Sequence, residues 1–336
     1  FLINKDYRNI ISFWLLSSIA LIFFMIIVGG LTRLTNSGLS ITEWELFHGI
    51  LPPLDNSKWN EYFDLYKTIP QFKLLYPSMT IQEFKVIFYW EYFHRLLGRV
   101  IGLFFLIPLI YFTVKKAINK KILVILYFVF LLILLQGFIG WYMVESGLIN
   151  NVTVSHYRLS LHLFLAFLII SILYWNYLNF LNKDKTFFNS NNFFLKILLA
   201  TILIQIILGA FVSGLDAGMI YQTWPKMNLT FFPDDIDLDK LKLTHLFSQQ
   251  SFVQFIHRCM AYIILFLVLF IGYLYYFKRK EPYLRTYLFI LLVIFAQVVL
   301  GIFTLISGLN IYLASMHQIT SIVLVFSVIN LNHKFS

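Results

Sequence analysis

Apolar residues in this chain fall in long unbroken runs, without the strict alternation of a half-buried strand or the single apolar stripe of a surface helix. Eight runs stand out, at residues 10–31, 86–114, 122–144, 159–181, 193–213, 252–277, 284–306 and 311–331. Each reaches or exceeds the ~20 residues that a helix needs to cross the hydrocarbon core of a bilayer. Lipid offers the backbone no hydrogen bonds, so runs of this length predict helices. The expected fold class is an all-α integral membrane protein with eight transmembrane helices.

The runs repeat. Gly30, Gly38 and Trp44 recur 180 positions later as Ala210, Gly218 and Trp224, and Phe84 and His94-Arg95 recur after 163 as Phe247 and His257-Arg258. Gln136, Gly140, Ser146 and Gly147 match Gln297, Gly301, Ser307 and Gly308 at 161, and His162 matches His317 at 155. The changing offsets put insertions in loops, where they are tolerated. Two four-helix bundles are predicted, residues 1–182 and 183–336, each able to hold a cofactor between facing helices. Four spans return the chain to its starting side, so the halves form a parallel repeat about an axis along the membrane normal. Gly29, Gly30, Gly140, Gly209 and Gly301 lie late in their spans, where small residues admit a close helix or a flat ligand. The two tryptophans read as interface anchors.

Composition agrees: 60% of the 336 residues are hydrophobic and 12% charged, with mean hydropathy +0.78, far from a soluble balance. The formal charge of +10 does not signify nucleic acid, because its distribution is that of membrane topology. Loops after the second, fourth and sixth runs carry Lys115, Lys116, Lys120, Lys121, Lys183, Lys185, Lys196, Lys278, Arg279, Lys280 and Arg285 against only Asp184 and Glu281. The positive-inside rule makes these loops, Lys5 and Arg8, and Lys334 cytoplasmic. Both termini are then inside, and the loops 33–85 and 214–249 face out. The first run is too long for a secretory signal and no transit peptide precedes it, which favours a bacterial inner membrane over a mitochondrial one. The single cysteine, Cys259, reads as a packing residue.

Apart from Lys196 and Arg285 at the cytoplasmic ends of their runs, the charged residues within the runs are Glu91, Arg95, Arg99 and Arg258. Charge in a span is costly and marks a candidate functional site. Glu91 and His94 are three residues apart, on one helical face. Four of the eight histidines, His94, His162, His257 and His317, fall near the start of even-numbered spans, two per repeat. Paired imidazoles without a cysteine or carboxylate cluster suit axial ligation of haem iron, whereas structural zinc wants four ligands in one set. Arg95 and Arg258 adjoin these histidines and could meet haem propionates, with snorkelling to the interface as the rival reading. His48, His156, His245 and His333 read as solvated, and the acidic run from Asp234 to Asp239 as a solvated loop face. The repeat breaks at one chemically telling position: Glu91 is answered by Gln254. One half has a titratable carboxyl beside its haem site, able to accept a proton or stabilise positive charge. The other half suits a permanent redox cofactor.

At these residues the chain resembles the heme A synthase family. The likeness rests on Gly29-Gly30-Leu31-Thr32-Arg33-Leu34-Thr35 with Ser37-Gly38-Leu39-Ser40, on Glu91-Tyr92-Phe93-His94-Arg95 with Gly98-Arg99, on Arg158 with His162-Leu163, on Gln254-Phe255-Ile256-His257-Arg258, and on His317-Gln318. It implies oxidation of a haem O methyl group to a formyl group, giving haem A for cytochrome oxidase. Substrate haem ligands fall on His94 and His162, the essential glutamate on Glu91, and the ligands of a haem b cofactor on His257 and His317. Arg95, Arg99, Arg158 and Arg258 are candidates for propionate contacts or site support. The outer-loop cysteine pair of some bacterial members is missing, so the likeness is to the proteobacterial and mitochondrial branch. Implied partners are the lipid bilayer, haem O, haem O synthase and an electron donor or acceptor that the sequence does not identify; a homo-oligomer is neither required nor forbidden. Competing readings are a cytochrome b-like carrier of two bis-histidine haems, which leaves Glu91 without a purpose, and a transporter, which leaves the paired histidines unexplained.

Overall fold

The computed structural model describes residues 7–43, 48–148, 152–181, 193–236, 243–278 and 283–336. Trp44, the charged residues Lys5, Lys183, Asp184, Lys185, Arg279, Lys280 and Glu281, and Asp237 and Asp239 of the acidic run lie outside them. Among the described residues there is no β-strand. All eight apolar runs are helices long and apolar enough to cross a membrane. They are α1 (Arg8–Leu34), α4 (Ile81–Val114), α5 (Lys120–Gly147), α6 (His156–Leu181), α7 (Phe193–Gly214), α8 (Gln250–Gly272), α9 (Leu284–Ile306) and α10 (Ile311–Phe335).

Local chemistry sets the ends that hydropathy leaves vague. α4 begins five residues before its apolar run because Thr80 and Glu83 form a reciprocal cap. Asn119 and Asn310 cap α5 and α10 by accepting backbone N–H groups of the first turn. A π-helical turn, Tyr273–Lys278, continues α8.

The chain divides into two compact units, Phe1–Ala166 and Phe167–Ser336, with the boundary inside α6. In the first, α1 packs along α4: Trp14 lies against Phe105 and Phe112, and its indole N–H donates to the Phe104 carbonyl at 3.2 Å. The segment expected only as a loop contains two further helices, α2 (Asn56–Thr68) and α3 (Pro70–Leu75). Their Trp59, Phe63 and Tyr66 join Leu39, Ile41, Phe84, Phe88 and Tyr92 in one apolar cluster. This cap covers the first turns of α4, whose 34 residues span about 51 Å, well beyond a ~30 Å hydrocarbon core. Burial, then the neighbouring Tyr76 and Glu91, push the Tyr66 phenol well above its ordinary range. It stays protonated and donates to Gln71 Oε1 at 3.0 Å.

In the second unit α7 packs against α8 and α10, and α9 against α10. His333, expected to be solvated, is 3% exposed; its Nε2 lies 2.9 Å from Asn179 Oδ1 and its ring is edge-on to Trp175. The acidic run is likewise partly built in: Asp234 and Asp235 both accept the Tyr221 hydroxyl, and Asp235 accepts from Ser251. Phe84 and Phe247, equivalent in sequence, differ in setting, the first fully buried and the second exposed. Trp224 is exposed.

Candidate haem sites

Each of the four in-span histidines lies on a glycine of a neighbouring helix. A Cβ on Gly29 of α1 would stand 3.1 Å from His94 Nε2, and one on Gly140 of α5 3.1 Å from His162 Cε1. In the second unit Gly209 of α7 meets His257 Cε1 at 3.2 Å and Gly301 of α9 meets His317 Cε1 at 3.1 Å. Gly29, Gly140, Gly209 and Gly301, four of the five glycines singled out for close approach, therefore make room for imidazoles, because a methyl group there would press on the ring.

His94 and His162 face each other with ring centroids 6.4 Å apart and planes inclined by 52°. A metal–imidazole bond of about 2.0 Å and about 1.1 Å from nitrogen to ring centre, taken on both sides, give about 6.2 Å for two rings across one iron. That separation fits axial ligation of a single haem. His162, His257 and His317 each keep a buried Nδ1 with no hydrogen-bond partner, and a buried polar atom left unpaired calls for a partner such as a bound ion. Among the described residues no three His, Cys, Asp or Glu side chains assemble into a metal-ion cage. The donor set fits a macrocycle-held iron that needs only two axial imidazoles.

The helices that carry these rings are tied to their neighbours by glutamines. Gln136 Nε2 donates to the His162 carbonyl at 3.0 Å, and Gln297 Nε2 to the His317 carbonyl at 2.8 Å. Gln205 Nε2 donates to the His257 carbonyl at 3.0 Å and also approaches the His257 ring Nε2 at 3.4 Å.

Glu91 is 2% exposed and both its oxygens are engaged. Oε2 accepts from the Ser40 hydroxyl at 2.7 Å and the Ile41 N–H at 2.9 Å. Oε1 accepts from Arg95 Nε at 3.1 Å and Nη2 at 2.6 Å. Arg95 Nη2 also donates to the Ile41 carbonyl at 2.9 Å. The pair thus grips a strap formed by the residues that follow α1. The second unit grips its equivalent strap without charge on the acceptor side: Gln254 Nε2 and Arg258 Nη2 both donate to the Tyr221 carbonyl, at 3.0 and 2.9 Å, and Tyr221 is Ile41 plus 180. The straps start alike, with Asn36 and Asp216, again 180 apart, both in left-handed turns at φ 52° and 51°.

The other arginines also have protein partners. Arg99 Nη1 donates to the Gly49 carbonyl at 3.3 Å and, with Arg95, Tyr62 and Tyr92, lines a small cleft beneath the cap. Arg158 Nη2 donates to the Tyr142 hydroxyl at 3.2 Å, its guanidinium stacks on that ring, and Nη1 meets Ser146. By the repeat offsets Arg99 and Arg158 correspond to Tyr262 and Leu313, so the first site is the richer in cations. Cys259 is partly buried and unbridged. Sequence reasoning overlooked Ser40, Ile41 and Tyr221 as partners of positions 91 and 254, and Gln205 altogether. Gln205 carried a usable signal, an amide inside an apolar run.

Residues 12–329 match the family model described as "Cytochrome oxidase assembly protein". The heme A synthase of Pelagibacter ubique is 49% identical over 341 residues, covering 99% of both chains. That of Flavobacterium psychrophilum is 39% identical over 99% of both, and that of Parvibaculum lavamentivorans 42% identical over 96% of this chain and 92% of its own. With this likeness running through every span that carries a histidine ligand candidate, the chain belongs to the cytochrome oxidase assembly protein family to which these heme A synthases belong.

Proposed function

We propose that the chain is a heme A synthase of a bacterial inner membrane, with both termini cytoplasmic and two four-helix halves in parallel repeat. It oxidises a methyl substituent of haem O to a formyl group by successive hydroxylation and loss of water, and haem O synthase supplies the substrate. The observation that carries this reading is the pair of histidines seated on glycines in each unit, with the first pair spaced for one iron, joined to the full-length likeness to heme A synthases.

His94 and His162 hold the substrate haem and His257 and His317 hold haem b. Haem b, when bound, supplies one-electron transfer. Glu91 sits one helical turn from His94, and its fully bonded carboxylate suits a fixed negative charge that stabilises developing positive charge better than it suits a free proton acceptor. Arg99 and Arg158, specific to the first site, are the candidates to orient substrate propionates through charge-assisted bonds. The electron partner lies outside this chain.

The test is mass spectrometry of haems extracted from protein produced together with haem O synthase. Haem B accompanied by haem O, its hydroxylated form or haem A supports two unlike sites. Haem B alone at two per chain would establish an electron carrier instead. His257→Ala and His317→Ala should remove haem B selectively, and His94→Ala and His162→Ala the substrate haems.

A further inference from the structure

Arg95 and Arg258 each stand twenty residues before the first lysine at the far end of their span, Lys115 and Lys278. Twenty helical residues rise about 30 Å, the thickness of the hydrocarbon core. With each lysine at one membrane face, each guanidinium stands at the edge of the hydrocarbon on the opposite face, and what it holds stands there too. Arg95 holds the carbonyls of Ile41 and Glu43, and Arg258 those of Tyr221 and Lys226. The straps that leave α1 and α7 are thus drawn down to membrane level. Each then turns apolar side chains outward. In the second unit a tight turn pairs Met227 with Thr230, with Asn228 left-handed at φ 63°. It buries Met227 and sets Phe232 edge-on to Phe255, while Leu229 is 84% exposed and Phe231 is exposed beside it. In the first unit the Tyr92 hydroxyl donates to the Ile50 carbonyl at 2.7 Å and Arg99 to that of Gly49. There Leu51, 180 positions before Phe231, is 68% exposed.

We infer that the tip of each strap is a lipid-binding element, carrying Leu51 in the first unit and Leu229 and Phe231 in the second into the headgroup–acyl boundary of the leaflet opposite Lys115 and Lys278. A turn in water favours Gly, Asn, Asp or Ser, whereas exposed apolar patches mark membrane or protein contacts. The depth set by the arginines decides for lipid, where Trp, Phe and Leu settle about 5–10 Å into the boundary. Trp224, exposed on the same strap, belongs to the residue type enriched at that boundary. Each strap is then seated from two sides, by an arginine from the protein and by phospholipid from the bilayer. The carbonyls of Ile41 and Tyr221, gripped one residue along the helix from His94 and His257, depend on both.

The experiment uses the full-length protein in nanodiscs of phosphatidylcholine and phosphatidylglycerol, with its single cysteine removed by Cys259→Ala. Leu229→Cys and, separately, Leu51→Cys are labelled with bimane, and quenching is read with phosphatidylcholine carrying a nitroxide on the headgroup, high on the acyl chain or at the chain end, and with aqueous iodide. Phe266→Cys, an exposed position eight residues deeper than Arg258 on α8, serves as the mid-membrane reference. Both strap labels should lose fluorescence most to the headgroup and upper-chain nitroxides and little to iodide, whereas Phe266→Cys should respond most to the chain-end nitroxide. A strap label quenched by iodide and untouched by the nitroxide lipids lies in water and overturns the inference. One shielded from all the quenchers is covered by protein, such as a second copy of this chain, and overturns it equally. Both side chains are exposed, so their replacement removes little packing; should one variant fail to assemble, the other carries the test.

Discussion

Replacing Glu91 by alanine removes four hydrogen bonds at once, those from Ser40, from the Ile41 N–H, and from Nε and Nη2 of Arg95. The side chains of Glu91 and Arg95 are 3% and 12% exposed, so water cannot take over fully from the lost partner. Removing one member of a buried pair costs about 3–5 kcal/mol, and because Arg95 keeps the Ile41 carbonyl the lower end, ~3 kcal/mol, is expected. Local opening of the strap at residues 37–43 should then increase by about a hundredfold. Glu91→Gln, which installs the amide that serves at position 254, loses the charge but keeps the shape and should cost about 1–2 kcal/mol, or about tenfold. Hydrogen–deuterium exchange of the strap peptide, read beside product formation, separates the two duties of the carboxylate. A double-mutant cycle with Arg95→Ala should give a coupling of about 1–3 kcal/mol. Single costs that simply add, or strap protection unchanged in Glu91→Ala, would refute the clamp and leave Glu91 a role in chemistry alone.

Other substitutions probe the remaining parts. Gly301→Ala puts a methyl group 3.1 Å from His317 Cε1, whereas Gly137→Ala on α5 meets nothing within 4 Å; the first should lower haem B content and the second leave it unaltered, as measured by the pyridine haemochrome spectrum. His333→Ala removes the contact with Asn179 Oδ1 and the edge-on packing against Trp175 and should cost about 1–3 kcal/mol, lowering the thermal midpoint in detergent while both haems remain. Gly272→Ala would overlap the Tyr287 hydroxyl, which donates to the Val268 carbonyl at 3.0 Å; overpacking of about 1–3 kcal/mol should appear as reduced thermal stability.

Much of this protein is legible in its sequence because lipid leaves the chain few choices. A run of some twenty apolar residues has to satisfy its own backbone, so hydropathy locates helices α1 and α4 to α10 nearly to their ends. Polar groups are costly in such runs, so the four histidines, Glu91 and the arginines stand out without any coordinates. The repeat offsets match His94 with His257 and His162 with His317, which puts two such histidines in each half. What they cannot convey is the partner of each group when that partner is distant in sequence and outside the membrane. The cap is invisible to hydropathy because α2 and α3 are short, mixed helices whose apolar faces acquire meaning only against Phe84 and Phe88. In the sequence Arg95 reads as a propionate ligand or a snorkelling cation; the approach of Ser40 and Ile41 decides that it clamps the strap with Glu91. Likewise His333 looks like a tail residue until α10 carries it beside Asn179. Solvent cost along one helix is a local property that sequence alone determines. Which donor meets which acceptor, and which glycine admits which imidazole, depends on how separate helices are brought together, and the tertiary structure alone decides it.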